Sequence, residues 1–240
     1  MQPEIYFVAD IHLERNENTK RDLFLSFVKM VKDKRGDLYI LGDLFDYWAN
    51  NRRIMKDNSA VLEALADLAS QGSKVAFLIG NRDLLLGKKV LLHYGIDYMD
   101  EQTVKTINGK RVLLTHGHLL CTHDVTFQKY RRTKWPIYRA LDTVLPGFIE
   151  NALAKLFIQR SKQVIESQKS WRLQFPEEVI KETFESGVEM IICGHSHKPM
   201  VKRYEGERYF IVLSSWTSSS GGYLCMSNGE FQLKDFPTFS

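Results

Sequence analysis

Five short apolar runs punctuate the chain, and each empties into a polar cluster. IYFV leads to Asp10 and His12, LYIL to Asp43, and VAFLI to Asn81, Arg82 and Asp83; VLLT leads to His116, and MIIC to His195 and His197. These runs are rich in β-branched and aromatic residues and lack polar alternation, which predicts strands buried on both faces. Helix-period stretches lie between several of them. Residues 21–34 place Leu23, Phe24, Phe27, Val28 and Val31 on one face, and residues 60–70 do the same with Leu62, Leu65, Ala66 and Ala69. Strands alternating with helices predict an α/β sheet, in which ligands gather at the carboxyl ends of strands. Beyond residue 197 short apolar runs separated by Gly and Ser predict hairpin strands that complete a second sheet.

The strand ends carry the chemistry. Asp10, His12, Asp43, Asn81, His116, His195 and His197 all stand there, and Gly42, Gly80 and Gly194 each precede one of them, where a glycine lets the backbone turn and approach closely. Mixed carboxylate, imidazole and amide donors suit Mn, Fe, Zn or Co better than a purely oxygen-loving ion. Seven ligands are too many for one ion but fit two that share a carboxylate, a pair that can clamp an in-line displacement at phosphorus. Each motif alone has an ordinary reading: a strand-end Asp is usually a cap or turn residue, and GHSH alone fits a turn. D-x-H, GD, GN, HGH and GHSH in one chain, each after an apolar run, predict a dinuclear metal site.

With 240 residues the chain can bury one large core or two small ones. The net charge of +4 does not indicate a general polyanion binder, but its distribution is uneven: ten basic residues against three acidic ones fall between Lys129 and Arg172, leaving the remainder net acidic. Three cysteines without CxxC spacing predict a reducing compartment, with Cys193 and Cys225 as inert core residues. The chain enters its first strand without the features of a secretory leader, and no run approaches a membrane span, so a cytoplasmic protein is expected.

These blocks resemble the calcineurin-like metallophosphoesterases, whose motifs run D-x-H, G-D, G-N-H-(D/E), H and G-H-x-H. All are present between residues 10 and 197, with Arg82 where histidine is usual. GNRD, together with GDLFDYW, LLLGKK, HGHLLCTHD and LSSWTSSSG, is similar more narrowly to the UDP-2,3-diacylglucosamine hydrolases of the lipid A pathway, along nearly the whole chain. The resemblance implies a four-layer α/β/β/α sandwich built from residues 1–124 and 176–240, with 125–175 inserted as a helical lipid-binding cap. It implies two Mn²⁺, other divalent transition metals remaining possible. Asp10, His12, Asp43 and His197 would hold one ion, and Asp43, Asn81, His116 and His195 the other, Asp43 bridging. Asp43, His116 and Arg82 form the implied catalytic set, the first two as ligands and Arg82 on the phosphate, which its permanent charge and paired donors suit. The ordinary alternative is that Arg82 only pairs with Asp83 on the surface; Asp83 can also orient Arg82 or a ligand. The implied substrate contacts are Asn81, Arg82, Asp124, Ser161, Lys162, Lys169 and His195. His118 and His123 depart from the narrow family, where acids are common, as does Phe127, where an aromatic hydroxyl is often found. Trp48 and Trp216 are either flanking the site or ordinary half-buried aromatics.

Residues 125–175 form a long connection, which in a compact domain is usually functional. Ile137, Leu141, Val144 and Leu145, a Pro146-Gly147 break, then Phe148, Ile149, Ala152, Leu153, Leu156 and Phe157 predict an amphipathic helical hairpin with a basic surround. On periodicity alone this is a lobe packed on the core. The resemblance implies instead a cap that takes acyl chains, with a basic rim suited to an anionic membrane surface.

The expected reaction is therefore hydrolysis of the UDP-2,3-diacylglucosamine pyrophosphate to UMP and 2,3-diacylglucosamine 1-phosphate by metal-activated water, in a monomer peripheral to the cytoplasmic face of the inner membrane. The alternative is a metal-dependent phosphodiesterase or phosphatase acting on soluble nucleotides or other phosphoesters. A non-catalytic scaffold should have lost ligands, and none is missing. A nucleic-acid partner is not expected, because the basic residues cluster around apolar helices without a groove-like spread.

Overall fold

A computed structural model describes residues 3–15, 17–48, 52–83, 85–123, 128–129, 133 and 174–237. Nearly all of the 125–175 insertion, with Asp124, Ser161, Lys162 and Lys169, lies outside the described residues.

All five apolar runs predicted as strands form strands, and each takes part in a parallel pairing. β1 (Ile5–Val8) pairs parallel with β2 (Asp37–Ile40), which pairs parallel with β3 (Val75–Leu78), and β3 with β4 (Asp97–Met99). Crossover helices join them: α1 (Asn18–Asp33) follows β1, and α2 (Arg52–Asp57) and α3 (Ser59–Ser70) follow β2. α4 (Lys88–His93) follows β3. A second sheet starts at β5 (Gln102–Ile107), antiparallel to β6 (Lys110–Thr115); β6 is parallel to β7 (Met190–Cys193), which follows α5 (Glu177–Glu185).

The C-terminal strands divide between the two sheets. β8 (Met200–Tyr204) and β9 (Arg208–Val212) form the expected hairpin in the second sheet. β10 (Gly221–Ser227) instead returns to pair antiparallel with β1, carrying β11 (Glu230–Phe236) with it. The expectation that all these strands complete the second sheet is corrected on this point. The orders are β11-β10-β1-β2-β3-β4 and β5-β6-β7-β9-β8.

Strand period two sorts the core into three layers of side chains. Tyr6, Val8, Leu38, Ile40, Val75 and Phe77 face outward under α1 and α3. Their neighbours Phe7, Ala9, Tyr39, Leu41, Ala76 and Leu78 face inward, against Val112, Leu114, Met190, Ile192 and Ile211 of the second sheet. Leu113, Ile191, Phe210 and Val212 cover the far side with Ile180 and Phe184 of α5. This is the expected α/β/β/α sandwich, and the central strands are buried on both faces as their apolar runs predict.

The α1 face is the predicted one, with Phe24, Phe27, Val28 and Val31 buried. In α3 the buried face is Val61, Leu62, Leu65 and Leu68, turned from the predicted Ala66 and Ala69 because the larger side chains exclude more water. Trp48 and Trp216 are buried core residues and not half-buried ones: Trp48 packs at a tilt 4.9 Å from Phe45, and Trp216 meets Phe24 and Phe27 edge-on. All three cysteines are free and buried, and burial pushes the Cys193 thiol well up. Phe175, at the end of the insertion, packs edge-on against Phe210. Among the described residues no helix is long and apolar enough to cross a membrane.

Candidate metal centre

Because β1, β2 and β3 are parallel neighbours, as are β6 and β7, their carboxyl ends bring the five polar clusters to one rim of the sandwich. The backbone there is unusual. Asp10, His12, Asp43, His195 and His197 all have positive φ, between 50° and 72°. Five of the seven predicted ligands thus adopt a conformation that ordinary side chains avoid, each at a cost of about 1–3 kcal/mol that the surrounding fold must offset. Such strain gathers at functional sites, and no local signal in the sequence announces it.

Glycines make the close approach possible. A Cβ on Gly80 would lie 2.1 Å from Asp43 Oδ1, and one on Gly194 would lie 2.3 Å from Asp10 Oδ2. Gly80 and Gly194 therefore leave room for carboxylates rather than supplying positive φ. Gly42, at φ +88°, does make a turn.

The seven side chains converge. Asp10 Oδ1 lies 3.7 Å from His12 Nε2, 3.4 Å from His197 Nε2 and 3.9 Å from His116 Nε2. Asp43 Oδ2 is 3.9 Å from His12 Nδ1 and 3.4 Å from His116 Nε2, so it stands between the two implied ligand sets. Asn81 Oδ1 is 3.0 Å from His116 Nε2 and 3.1 Å from His195 Nδ1. His12 Nε2 and His197 Nε2 face each other at 3.2 Å. Ligand atoms of Asp10, His12 and His197 lie within 4.8 Å of one another, as do those of Asp10, Asp43 and His116, so Asp10 takes part in both clusters.

Two observations fit these residues to a cation pair. Asp10 Oδ1 and His12 Nδ1 are buried without a hydrogen-bond partner, a costly state that a metal ion would relieve. Three of the seven side chains are also held from the far side: Asp10 Oδ2 accepts the His195 N–H at 2.7 Å, Asp43 Oδ1 accepts the Arg82 N–H at 2.8 Å, and His116 Nδ1 donates to the Leu41 carbonyl at 2.9 Å. Fixing one side of these three groups leaves the other side aimed inward, as at metal sites generally.

The electrostatics agree. Burial opposes the charge on Asp43, but His116 beside it holds the carboxyl far below its usual range. Burial also opposes charge on His116, yet the Asp43 carboxylate raises its pKa to about 10. His195 is driven well below the ordinary value by burial and by the His116 charge, and burial likewise lowers His12, keeping both imidazoles neutral and able to ligate.

Three neighbours resolve open points. Arg82 does not pair with Asp83; its Nη1 lies 3.6 Å from Asp46 Oδ1. Asp83 is buried and accepts the backbone N–H groups of Gly80 at 2.6 Å and Leu44 at 2.8 Å. His118 is buried with Nε2 3.3 Å from Glu101 Oε1, its ring 5.5 Å from that of His116. Of the two readings of Asp83, the orienting one fits, since it holds the loops that carry Asp43 and Asn81; Asp46 and Glu101 have no assignment from the sequence, because their partners are set by contacts between different loops.

Residues 3–199 match the family model for calcineurin-like phosphoesterases. The chain is 32% identical over 236 residues to the UDP-2,3-diacylglucosamine hydrolase of Photorhabdus laumondii, an alignment that covers 96% of this chain and 98% of that one. It is 30% identical over 231 residues to the enzyme of the same name from Haemophilus influenzae, covering 94% and 96%. Among solved structures, a dimetal phosphatase from Danio rerio shares the fold with a TM-score of 0.55 at 13% identity, covering 97% of this chain and 95% of that one.

Proposed function

Because the chain belongs to the calcineurin-like phosphoesterase family and is a metal-dependent hydrolase, we propose that it hydrolyses the pyrophosphate of UDP-2,3-diacylglucosamine, giving UMP and 2,3-diacylglucosamine 1-phosphate in lipid A biosynthesis. The observation that carries this reading is the convergence of seven ligand side chains at one rim, in a chain whose relatives of that name align over nearly its whole length.

Asp10, His12, Asp43 and His197 would hold one ion and Asp43, Asn81, His116 and His195 the other. Such ions supply water of lowered pKa and neutralise charge on the phosphoryl oxygens. The chain's own residues do the rest. Asp43 spans the two ligand sets and its second oxygen, fixed by the Arg82 N–H, cannot swing away. Arg82, permanently charged, offers paired donors to the phosphate where negative charge grows. Its backbone N–H on Asp43 Oδ1 roots it beside the centre.

Among the Mn, Fe, Zn and Co that the mixed donor set suits, manganese is the metal we favour, because the family resemblance implies it. Asp124, Ser161, Lys162 and Lys169 are proposed to meet the nucleotide-sugar part, and the apolar hairpin within 125–175 the acyl chains. The local basic surplus supports peripheral binding to the anionic cytoplasmic face of an inner membrane, by a monomer. The test is substrate competition: detergent-solubilised UDP-2,3-diacylglucosamine should inhibit cleavage of a small chromogenic diester, whereas UDP-glucosamine without acyl chains should inhibit far less. Equal inhibition by both would favour a soluble-nucleotide phosphoesterase.

A further inference from the structure

Arg82 needs more than a charge to act on a phosphate; it needs a direction. Its backbone N–H is tied to Asp43 Oδ1, so the root of the side chain is fixed on a ligand of the centre. The far end meets Asp46, whose Oδ1 is 3.6 Å from Nη1, and both side chains are only about one-sixth exposed, at 15% and 16%. A guanidinium this far from solvent adopts the orientation its counter-charge dictates, and with five N–H donors it keeps others free to point elsewhere.

Asp46 is itself a fixed post. Its N–H donates to the Leu13 carbonyl at 3.2 Å, just beyond the D-x-H motif, and Phe45 beside it forms a parallel bridge to Leu13. Phe45 and Trp48, both fully buried and flanking Asp46 in sequence, pack their rings together at a tilt and lock the loop into the outer core. Only Leu44 and Phe45 separate Asp46 from Asp43, so one rigid loop carries both an implied ligand of the centre and the partner of the arginine.

We propose that Asp46 is a positioning residue, holding the Arg82 guanidinium by one edge so that its other donors meet the phosphoryl oxygens of the substrate. This rests on the reading of Arg82 as a phosphate ligand. A small misplacement of such a group has a large effect on rate, roughly a hundredfold for about 1 Å.

The test is a double-mutant cycle on the metal-loaded, full-length protein: wild type, Asp46→Asn, Arg82→Ala and the double variant. Asp46→Asn is nearly isosteric and keeps the loop packed; Asp46→Glu provides a second variant that retains the charge at a displaced position. The readouts are kcat and KM for UMP release, UMP affinity by calorimetry, metal content and Tm. Asp46→Asn should lower kcat roughly ten- to a hundredfold and weaken UMP binding, with metal content and Tm unchanged. Asp46→Glu should fall between it and wild type. In the Arg82→Ala background the Asp46 change should cost nothing further. An equal loss in both backgrounds, or a silent Asp46→Asn beside an impaired Arg82→Ala, would overturn the positioning role while leaving Arg82 on the phosphate. A silent Arg82→Ala would overturn that reading and this inference together.

Discussion

Asp83 Oδ2 accepts the backbone N–H of Leu44 at 2.8 Å, across 39 residues of sequence. Its other oxygen takes the Gly80 N–H at 2.6 Å, so one buried carboxylate binds the loop after β2 to the loop after β3. These loops carry Asp43 and Asn81. Burial and the nearby Asp43 charge raise the Asp83 pKa to about 7, the reverse of what a carboxylate with two N–H donors would show in water.

Replacing Asp83 with Ala leaves two buried N–H groups without an acceptor. At about 1–3 kcal/mol for each, the loss is on the order of 3 kcal/mol, and the two loops separate. Chemical denaturation of the metal-free protein should show this loss, and metal content should drop with it. Asp83→Asn keeps one acceptor and should lie between the two. Unchanged stability in Asp83→Ala would show that the clamp contributes nothing.

Asp43→Ala removes the carboxylate between the two histidine sets. UMP release should fall below detection, and elemental analysis should find fewer than two ions per chain. Turnover at the wild-type rate would mean that the centre lies elsewhere.

Gly80→Ala places a methyl group 2.1 Å from Asp43 Oδ1, so the carboxylate or the backbone must shift. Because φ at Gly80 is not in the left-handed region, the substitution acts through space and not through strain. The expected result is a folded protein by circular dichroism with metal affinity reduced at least tenfold. Metal affinity equal to wild type would show that the contact is easily relieved.

Metal binding should release protons. With no metal bound, the Asp43 carboxylate raises His116 to about 10, so the ring is protonated at neutral pH and must lose that proton to ligate. Metal and proton compete, which makes apparent affinity rise with pH and level off near pH 10. Calorimetry in buffers of different ionisation enthalpy should report net proton release at pH 7.5. Affinity that is flat between pH 7 and 9 would contradict this.

The legible part of the molecule was what local pattern encodes. β1, β2, β3, β6 and β7 are unbroken apolar runs because both faces are covered, and each ends in a predicted ligand, so the candidate site could be traced from Asp10 to His197. The α1 stripe was equally plain. What escaped depends on contacts distant in sequence. β10 pairs with β1, with Phe7 opposite Leu224, and no periodicity in GGYLCMS says which of two sheets will accept it. Trp216 belongs under α1 for the same reason. Asp46 and Asp83 are short-range neighbours of ligands, yet their partners come from other loops. The left-handed turns at Asp10, His12, Asp43, His195 and His197 are imposed by the assembled fold; Asp and His enter that region more readily than most side chains, but not often enough for the sequence to announce it.

The most direct measurement is UMP release from UDP-2,3-diacylglucosamine by purified protein that has been stripped with a chelator, before and after Mn²⁺ is restored. The stripped protein should release no UMP, and activity should recover with Mn²⁺. Undiminished release without metal would contradict the dinuclear centre. No release with metal present, alongside metal-dependent cleavage of a simple phosphodiester, would keep the centre and contradict the lipid substrate.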